Sequence, residues 1–499
     1  MLQAYCRKRS YAGGDLVELC VSTDAKWFGV EVIRDGIEPK TVYRAGDIAG
    51  EYYPVPGDAV ENGCGWPVAL SFSVGDDWRS GFHKIQLTSS DGETTEAFLI
   101  VRAKAPQAAI LWVIETNTWN AYNFFGGAST YTADGTAYAA GAARVSFQRP
   151  LPPGFISLPR DAHRLATVKE VDTSLPYGKW AAEQGLTLWT GAASWGQWGQ
   201  AFTRWLEKEG IAVDYAASSD LQDYPDLLSR YRLMLSVGHD EYWTWEMRDT
   251  VETFIANGGN AAFLSGNTAY WQVRIERNGE QMVAYKAAVD ADPVIGTPDE
   301  RHNSGIWSHA LTRRPENEMT GLSFTRGGYA RLAGATPASA GGYTVYRADH
   351  WALAGTGLSY GDQLGADLSL VGYECDGCAL TLRDGLPFPT GEDGTPPDFE
   401  IIGIAPVALW TRQTAPEGLY PEGSLSDLEL VCQQVAGNRD EATLQRFAHG
   451  HAVMGCYTRQ GGGTVFSGGT TDWTYALADP QVAQITRNIV AKLSAVEAG

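Results

Sequence analysis

The chain has 499 residues, a formal charge of −21, 44% hydrophobic and 19% charged residues. That length predicts two or three domains of ordinary globular composition. No long acidic block produces the charge, so it is a solvated surface that argues against nucleic acid or an anionic membrane as partner.

The start, MLQAYCRKRSYAGG, has basic residues with no apolar run behind them, and no later stretch reaches the ~18 apolar residues of a membrane span. Neither a signal peptide nor a transmembrane segment is expected. Residues 1–104 read as all-β: LVELCVS, WFGVEVIRD, PVALSFSV, HKIQLTS and EAFLIVRA are short β-rich runs separated by Gly, Asp, Pro and Ser turns. SSDGET is a hairpin signal between the last two. A small immunoglobulin-like β-sandwich is the expected fold, with AKAPQ (103–107) as linker.

From residue 108 the grammar becomes strand–helix alternation. AAILWVI (108–114), IAVDYA, RLMLSV and NAAFLSG (260–266) have the length and apolarity of buried strands. GQWGQAFTRWLEKEG (196–210) and TWEMRDTVETFIANGG (244–259) have helical spacing, the second with Thr244 as N-cap and Gly258-Gly259 as stop. This predicts an α/β domain over 108–499 with a flavodoxin-like, class I amidotransferase-like parallel sheet covered on both faces. Residues of about 275–460 show no sustained helical pattern and read as a partly β insertion over the sheet's working edge. GGTVFSGG and DPQVAQITRNIVAKLSAV then close the domain as a strand and a helix.

The seven cysteines are few and odd in number, which fits a reducing cytoplasm. Cys375-Asp-Gly-Cys378 is a lone CxxC, read as a turn with free thiols rather than as half of a zinc site. The 17 tryptophans, many beside Gly, Asn or Thr, are compatible with a cleft lining or with plain structural burial.

In open parallel sheets ligands bind beyond the carboxyl ends of the strands. AAILWVI is followed by Glu115, Thr116, Asn120, Tyr122 and Asn123. LMLSV runs into GHDEYW, which sets His239, Asp240, Glu241 and Tyr242 in a row. NAAFL is followed by SGNTAYW with Asn267 and Tyr270. Sequential strands tend to be neighbours, which would bring His239, Glu241 and Asn267 to one rim. Each has a plainer reading: His239 as a loop anchor, Asp240 as a turn cap, Tyr242-Trp243 as a core lid, Asn267 as a left-handed turn residue. No Cys sits at a strand–helix elbow, and the SVGHDE strand end offers no Ser with flanking glycines, so an activated water is the expected attacking group. A Tyr/Glu oxygen set suits a hard, highly charged ion such as ferric iron.

At TWNAYN, VSFQRPL, FTRWLEKEGIAVDY, LMLSVGHDEYW, MRDTVETFIANGGNAAFLSGNTAYWQVR, HWALAGTGLSYGD, LVGYECDG and GTVFSGGTTDWTYAL the sequence resembles the C-terminal region of the N,N-dimethylformamidase large (β) subunit family. The resemblance implies hydrolysis of a small N-substituted formamide by a mononuclear iron held by two tyrosines and a glutamate. Carried over, the glutamate is Glu241 and the first tyrosine Tyr122, with His239, Asn267, Lys286 and Glu374 aiding catalysis. The second tyrosine has no assigned position: Phe147 stands before RPL, with Tyr131 and Tyr138 upstream and His163 downstream. Phe147 at that position would mean a lost ligand. Lys286–Glu374 is either a catalytic pair or a simple ion pair. A rival class is a non-enzymatic carbohydrate or peptide binder with a degenerate site. A homo-oligomer and a small partner subunit both stay open.

Overall fold

A computed structural model describes the chain except for residues 132–140, 159–161, 163, 165–179, 182, 184–190, 331–338, 416–418, 421 and 496–499. It is a mixed α/β molecule whose N-terminal part is built of sheets. Leu2–Cys6, Leu16–Thr23 and Val68–Ser73 form one three-stranded sheet, and Ser10–Ala12, Lys40–Ala49, Trp27–Arg34, Gly81–Ser89 and Thr94–Arg102 form a five-stranded one. Alternation drives the packing: every second residue of WFGVEVIR is buried, and Phe28, Val30 and Val32 share a core with Val17, Leu19, Ile85 and Leu87. The hairpin expected at SSDGET joins Gly81–Ser89 to Thr94–Arg102.

Among the described residues the large sheet has nine strands. Its parallel half runs Asp214–Ala217, Ile110–Ile114, Leu233–His239, Asn260–Gly266, Thr464–Ser467 across the sheet. Numbered along the chain, that order is 2-1-3-4-5. ILWVI and LMLSVGH are buried at every position, as strands covered on both faces must be. Trp245–Ala256 links two of these strands, with the Thr244 side chain accepting from the Met247 amide as the expected N-cap. Pro480–Ser494 is the closing helix, capped by Asp479.

The sheet is not parallel throughout, which corrects the expectation from sequence. Gly450–Thr458, Glu400–Val407, Tyr343–Val345 and Gln363–Leu364 continue it antiparallel beyond Thr464–Ser467. Part of the supposed insertion therefore extends the sheet. It also contains a helix, Asp427–Ala436, opened by a capping box of Ser426 and Glu429. SDLE is that box, masked in the sequence by the surrounding Gly and Pro. Cys375 and Cys378 are buried free thiols, but Cys375–Gly377 is a strand paired with Ser323–Gly328, not a turn. Trp112, Trp119, Trp195, Trp198, Trp243 and Trp271 are fully buried, so the tryptophans chiefly fill the core.

Candidate active site

Three parallel strands deliver the site at their carboxyl ends. The helix Thr116–Tyr122 follows Ile110–Ile114 and ends on Tyr122, Leu233–His239 ends on His239, and Asn267 comes directly after Asn260–Gly266. Two glycines permit this convergence. Gly238 has φ +82°, and a Cβ there would stand 2.9 Å from Trp198, so only glycine turns the strand end and keeps the indole in place. At Gly266 a Cβ would meet the Glu374 carbonyl oxygen at 2.3 Å, which is how residue 374 reaches a strand more than a hundred positions upstream.

Glu241 is the hub, 2% exposed. The Tyr122 hydroxyl donates to its Oε2 at 3.0 Å, and the Tyr131 hydroxyl reaches both carboxylate oxygens at 2.8 and 2.9 Å. Trp271 Nε1 donates to Oε1 at 2.7 Å, and Asn267 Nδ2 stands 3.2 Å from the same oxygen. The Tyr122 and Tyr131 rings stack at 4.2 Å. Burial raises the Glu241 carboxyl and holds the Tyr122 phenol well above its ordinary pKa.

A second carboxylate lies beside the first. His239 Nε2 is 2.6 Å from Glu374 Oε2 and 3.3 Å from Glu241 Oε2, while its Nδ1 sits 2.6 Å from the Ala192 carbonyl oxygen. That contact makes Nδ1 the protonated nitrogen and aims Nε2 at the carboxylates. Burial alone would lower the imidazole pKa, but Glu374 and Glu241 outweigh it and hold it up to about 10. Asn267 Nδ2 bridges to Glu374 Oε2, also at 3.2 Å. Asn267 has φ +49°, and Asp376 fixes that strained turn by accepting from the amides of Asn267 and Thr268 at 2.8 and 3.1 Å.

Lys286 corrects one expectation. It forms no ion pair with Glu374 among the described residues; its ammonium donates to the Tyr242 hydroxyl at 2.9 Å and lies 3.0 Å from the Tyr131 ring centre. Tyr242 in turn donates to the Tyr131 hydroxyl at 2.6 Å. Burial pushes the lysine down to about 7. Glu374 instead pairs with His239, and the Tyr329 hydroxyl connects it at 3.4 Å to Asp427, 3.0 Å on the other side.

The six residues singled out from sequence, Tyr122, His239, Glu241, Asn267, Lys286 and Glu374, thus lie in one buried cluster. Asp240 does not join it: its carboxylate accepts from Ser236 and Trp243, the plain structural role. Phe147 packs beneath the Arg9 guanidinium, away from Glu241, whereas Tyr131 occupies the position beside it. Tyr138 and His163 lie outside the described residues. Tyr242 belongs to the GHDEYW run and Tyr131 to the open positions for the second tyrosine, whereas nothing in the sequence marks Tyr329, and Trp271 is marked only by sharing the SGNTAYWQ run with Asn267. Among the described residues no group of three His, Cys, Asp or Glu side chains is arranged to hold a metal. The oxygen set of Tyr122, Tyr131 and Glu241 is a different donor class, and it fits a hard cation, whose charge would also be what ionises buried phenols.

The family model for the N,N-dimethylformamidase beta subunit-like C-terminal region matches residues 35–487. The chain belongs to that family. Two relatives, the N,N-dimethylformamidase beta subunits of an Alcaligenes species and of Paracoccus aminophilus, are each 32% identical over 101 residues. Those matches cover 20% of this chain and 13% of each relative. A solved structure of murine CRIg matches 21% of this chain and 98% of its own at 10% identity, with a TM-score of 0.14, too low to bear on the fold.

Proposed function

We propose that this family member is a metal-dependent amidohydrolase that cleaves a small linear amide of the N-substituted formamide type. The observation that carries the reading is the convergence of Tyr122 and Tyr131 on Glu241 with the His239–Glu374 pair alongside. Tyr122, Tyr131 and Glu241 would hold a mononuclear iron, which when bound supplies Lewis acidity toward a carbonyl or a water.

The chain's own groups account for the rest. Glu374, 2.6 Å from His239 Nε2, takes the proton released as water adds to the carbonyl, and His239 returns a proton to the departing amine. Asn267 Nδ2, facing both carboxylates, is the donor for the tetrahedral oxyanion. Lys286 offsets negative charge on the two phenols through Tyr242 and the Tyr131 ring. Tyr122, Trp198 and Tyr373 surround the imidazole at 5.7–6.1 Å and keep bulk water from it.

The 2-1-3-4-5 order of the parallel strands supports a flavodoxin-like, class I amidotransferase-like core over 108–499. The two N-terminal sheets support an immunoglobulin-like sandwich over 1–104. Seven free cysteines suit a reducing cytoplasm. The name beta subunit carried by the relatives supports a second, smaller kind of subunit or a larger oligomer.

The test is a screen of formamides and acetamides for amine release by iron-loaded protein. Turnover lost at least about 100-fold in Glu374→Gln and His239→Asn supports the reading. Turnover that both variants retain, or none with any linear amide, contradicts it.

A further inference from the structure

Away from the cluster, a cavity of about 40 Å³ lies between the N-terminal sheets and the helix Thr116–Tyr122. Lys8, Arg9 and Arg149 line it, and no carboxylate does among the described residues. Arg149 is 2% exposed. Its Nε donates to the Ser146 carbonyl at 2.9 Å and its Nη1 to the Phe125 and Ala128 carbonyls at 2.8 and 3.3 Å, but Nη2 is buried with no partner. Arg9 lies flat on Phe147, 3.7 Å from the ring centre, and its buried Nε also lacks a partner. The Thr116 hydroxyl, on the same wall, is a third unpartnered buried group.

Neither guanidinium has an ion pair with a described residue. Asp220 and Asp223 act on Arg9 only through space, and the group that acts on Arg149 is Cys64, whose thiol burial pushes up to about 12 and so keeps neutral. Burying a guanidinium costs several kcal/mol unless an anion and hydrogen bonds compensate, so the buried Arg149 with the half-buried Arg9 beside it is poorly explained as framework alone. A site of this size takes a ligand of only a few heavy atoms. That favours a small planar oxyanion over a bulkier tetrahedral one. A guanidinium fork matches a planar two-oxygen group, and Phe98, Trp119 and Leu151 supply an apolar side for a hydrogen or methyl.

We propose that this cavity binds one small monocarboxylate, of the size of formate or acetate, between Arg9 and Arg149. The proposal is independent of the amide-cleaving reading. It is tested by titration calorimetry of the full chain at neutral pH with sodium acetate and sodium formate, against chloride and phosphate at matched ionic strength. One carboxylate should bind per chain, with chloride and phosphate weaker by about tenfold or more, and Arg9→Met and Arg149→Met should each weaken acetate by about tenfold or more. Should Arg149→Met not fold, Arg9→Met decides, since the Arg9 side chain ties down no backbone carbonyl among the described residues. No saturable carboxylate binding, equal binding of chloride or phosphate, or affinity unchanged in Arg9→Met overturns the proposal.

Discussion

Asp376 shows how much of the site depends on groups that never face its centre. Its two oxygens satisfy the amides of Asn267 and Thr268 in a turn where Asn267 and Ala269 both have positive φ. Asp376→Ala would leave two buried amides unpaired, each costing about 1–3 kcal/mol. We expect urea unfolding to register a loss of about 2–4 kcal/mol, with Asp376→Asn, which keeps one acceptor, losing less. An Asp376→Ala protein as stable as the parent would contradict this role. At this scale the sequence was informative where chemistry and strand ends coincide. GHDEYW and SGNT are strand ends, so their polar residues stood out. Tyr131 stood only as one of several open positions for the second tyrosine, because nothing in its neighbourhood marks a strand end and its partner Glu241 is 110 positions away. Lys286 came to the site through the family resemblance but its partner did not, since nothing along the chain says that a lysine meets a tyrosine hydroxyl rather than a buried carboxylate.

At the scale of the element, strands buried on both faces were readable from apolarity alone, and helices from their caps. The antiparallel half of the sheet was not. Tyr343–Val345 and Gln363–Leu364 have three and two residues, too short for alternation to register, and only pairing with Glu400–Val407 makes them part of the sheet. In the N-terminal sheets, the strand Gly81–Ser89 carries a buried charge switch. His83 is fully buried against Trp78, its Nδ1 3.0 Å from the Gly81 carbonyl, and burial pushes its pKa down to about 3. The native protein therefore keeps this imidazole neutral where the unfolded chain takes up a proton. Its contribution is fully present above pH ~6.5 and is lost as pH falls from there toward 3. Replacing it by leucine should flatten the fall of the unfolding midpoint across that window. An equally steep fall would mean that other groups carry the acid sensitivity.

Across the whole molecule, the N-terminal sheets and the large sheet are joined by paired charges. Arg34 meets Glu207 at 2.7 Å, Arg102 meets Asp220 at 3.0 Å, and Asp35 accepts from Trp195 and Gln200, each at 2.8 Å. Trp195 also stacks on Phe82 at 4.1 Å, and its neighbour Trp198 is the ring that Gly238 makes room for. The N-terminal sheets thus brace the wall behind His239. The central claim is that all this framework presents two phenols and a carboxylate to one cation. It is tested by the metal content of purified protein, measured by mass spectrometry for the parent beside Tyr122→Phe, Tyr131→Phe and Glu241→Ala. The parent should carry about one iron per chain, lost or greatly reduced in all three variants while their folds persist. A parent that takes up no transition metal from iron-supplemented medium, or a Tyr131→Phe protein that holds iron as fully as the parent, would contradict it.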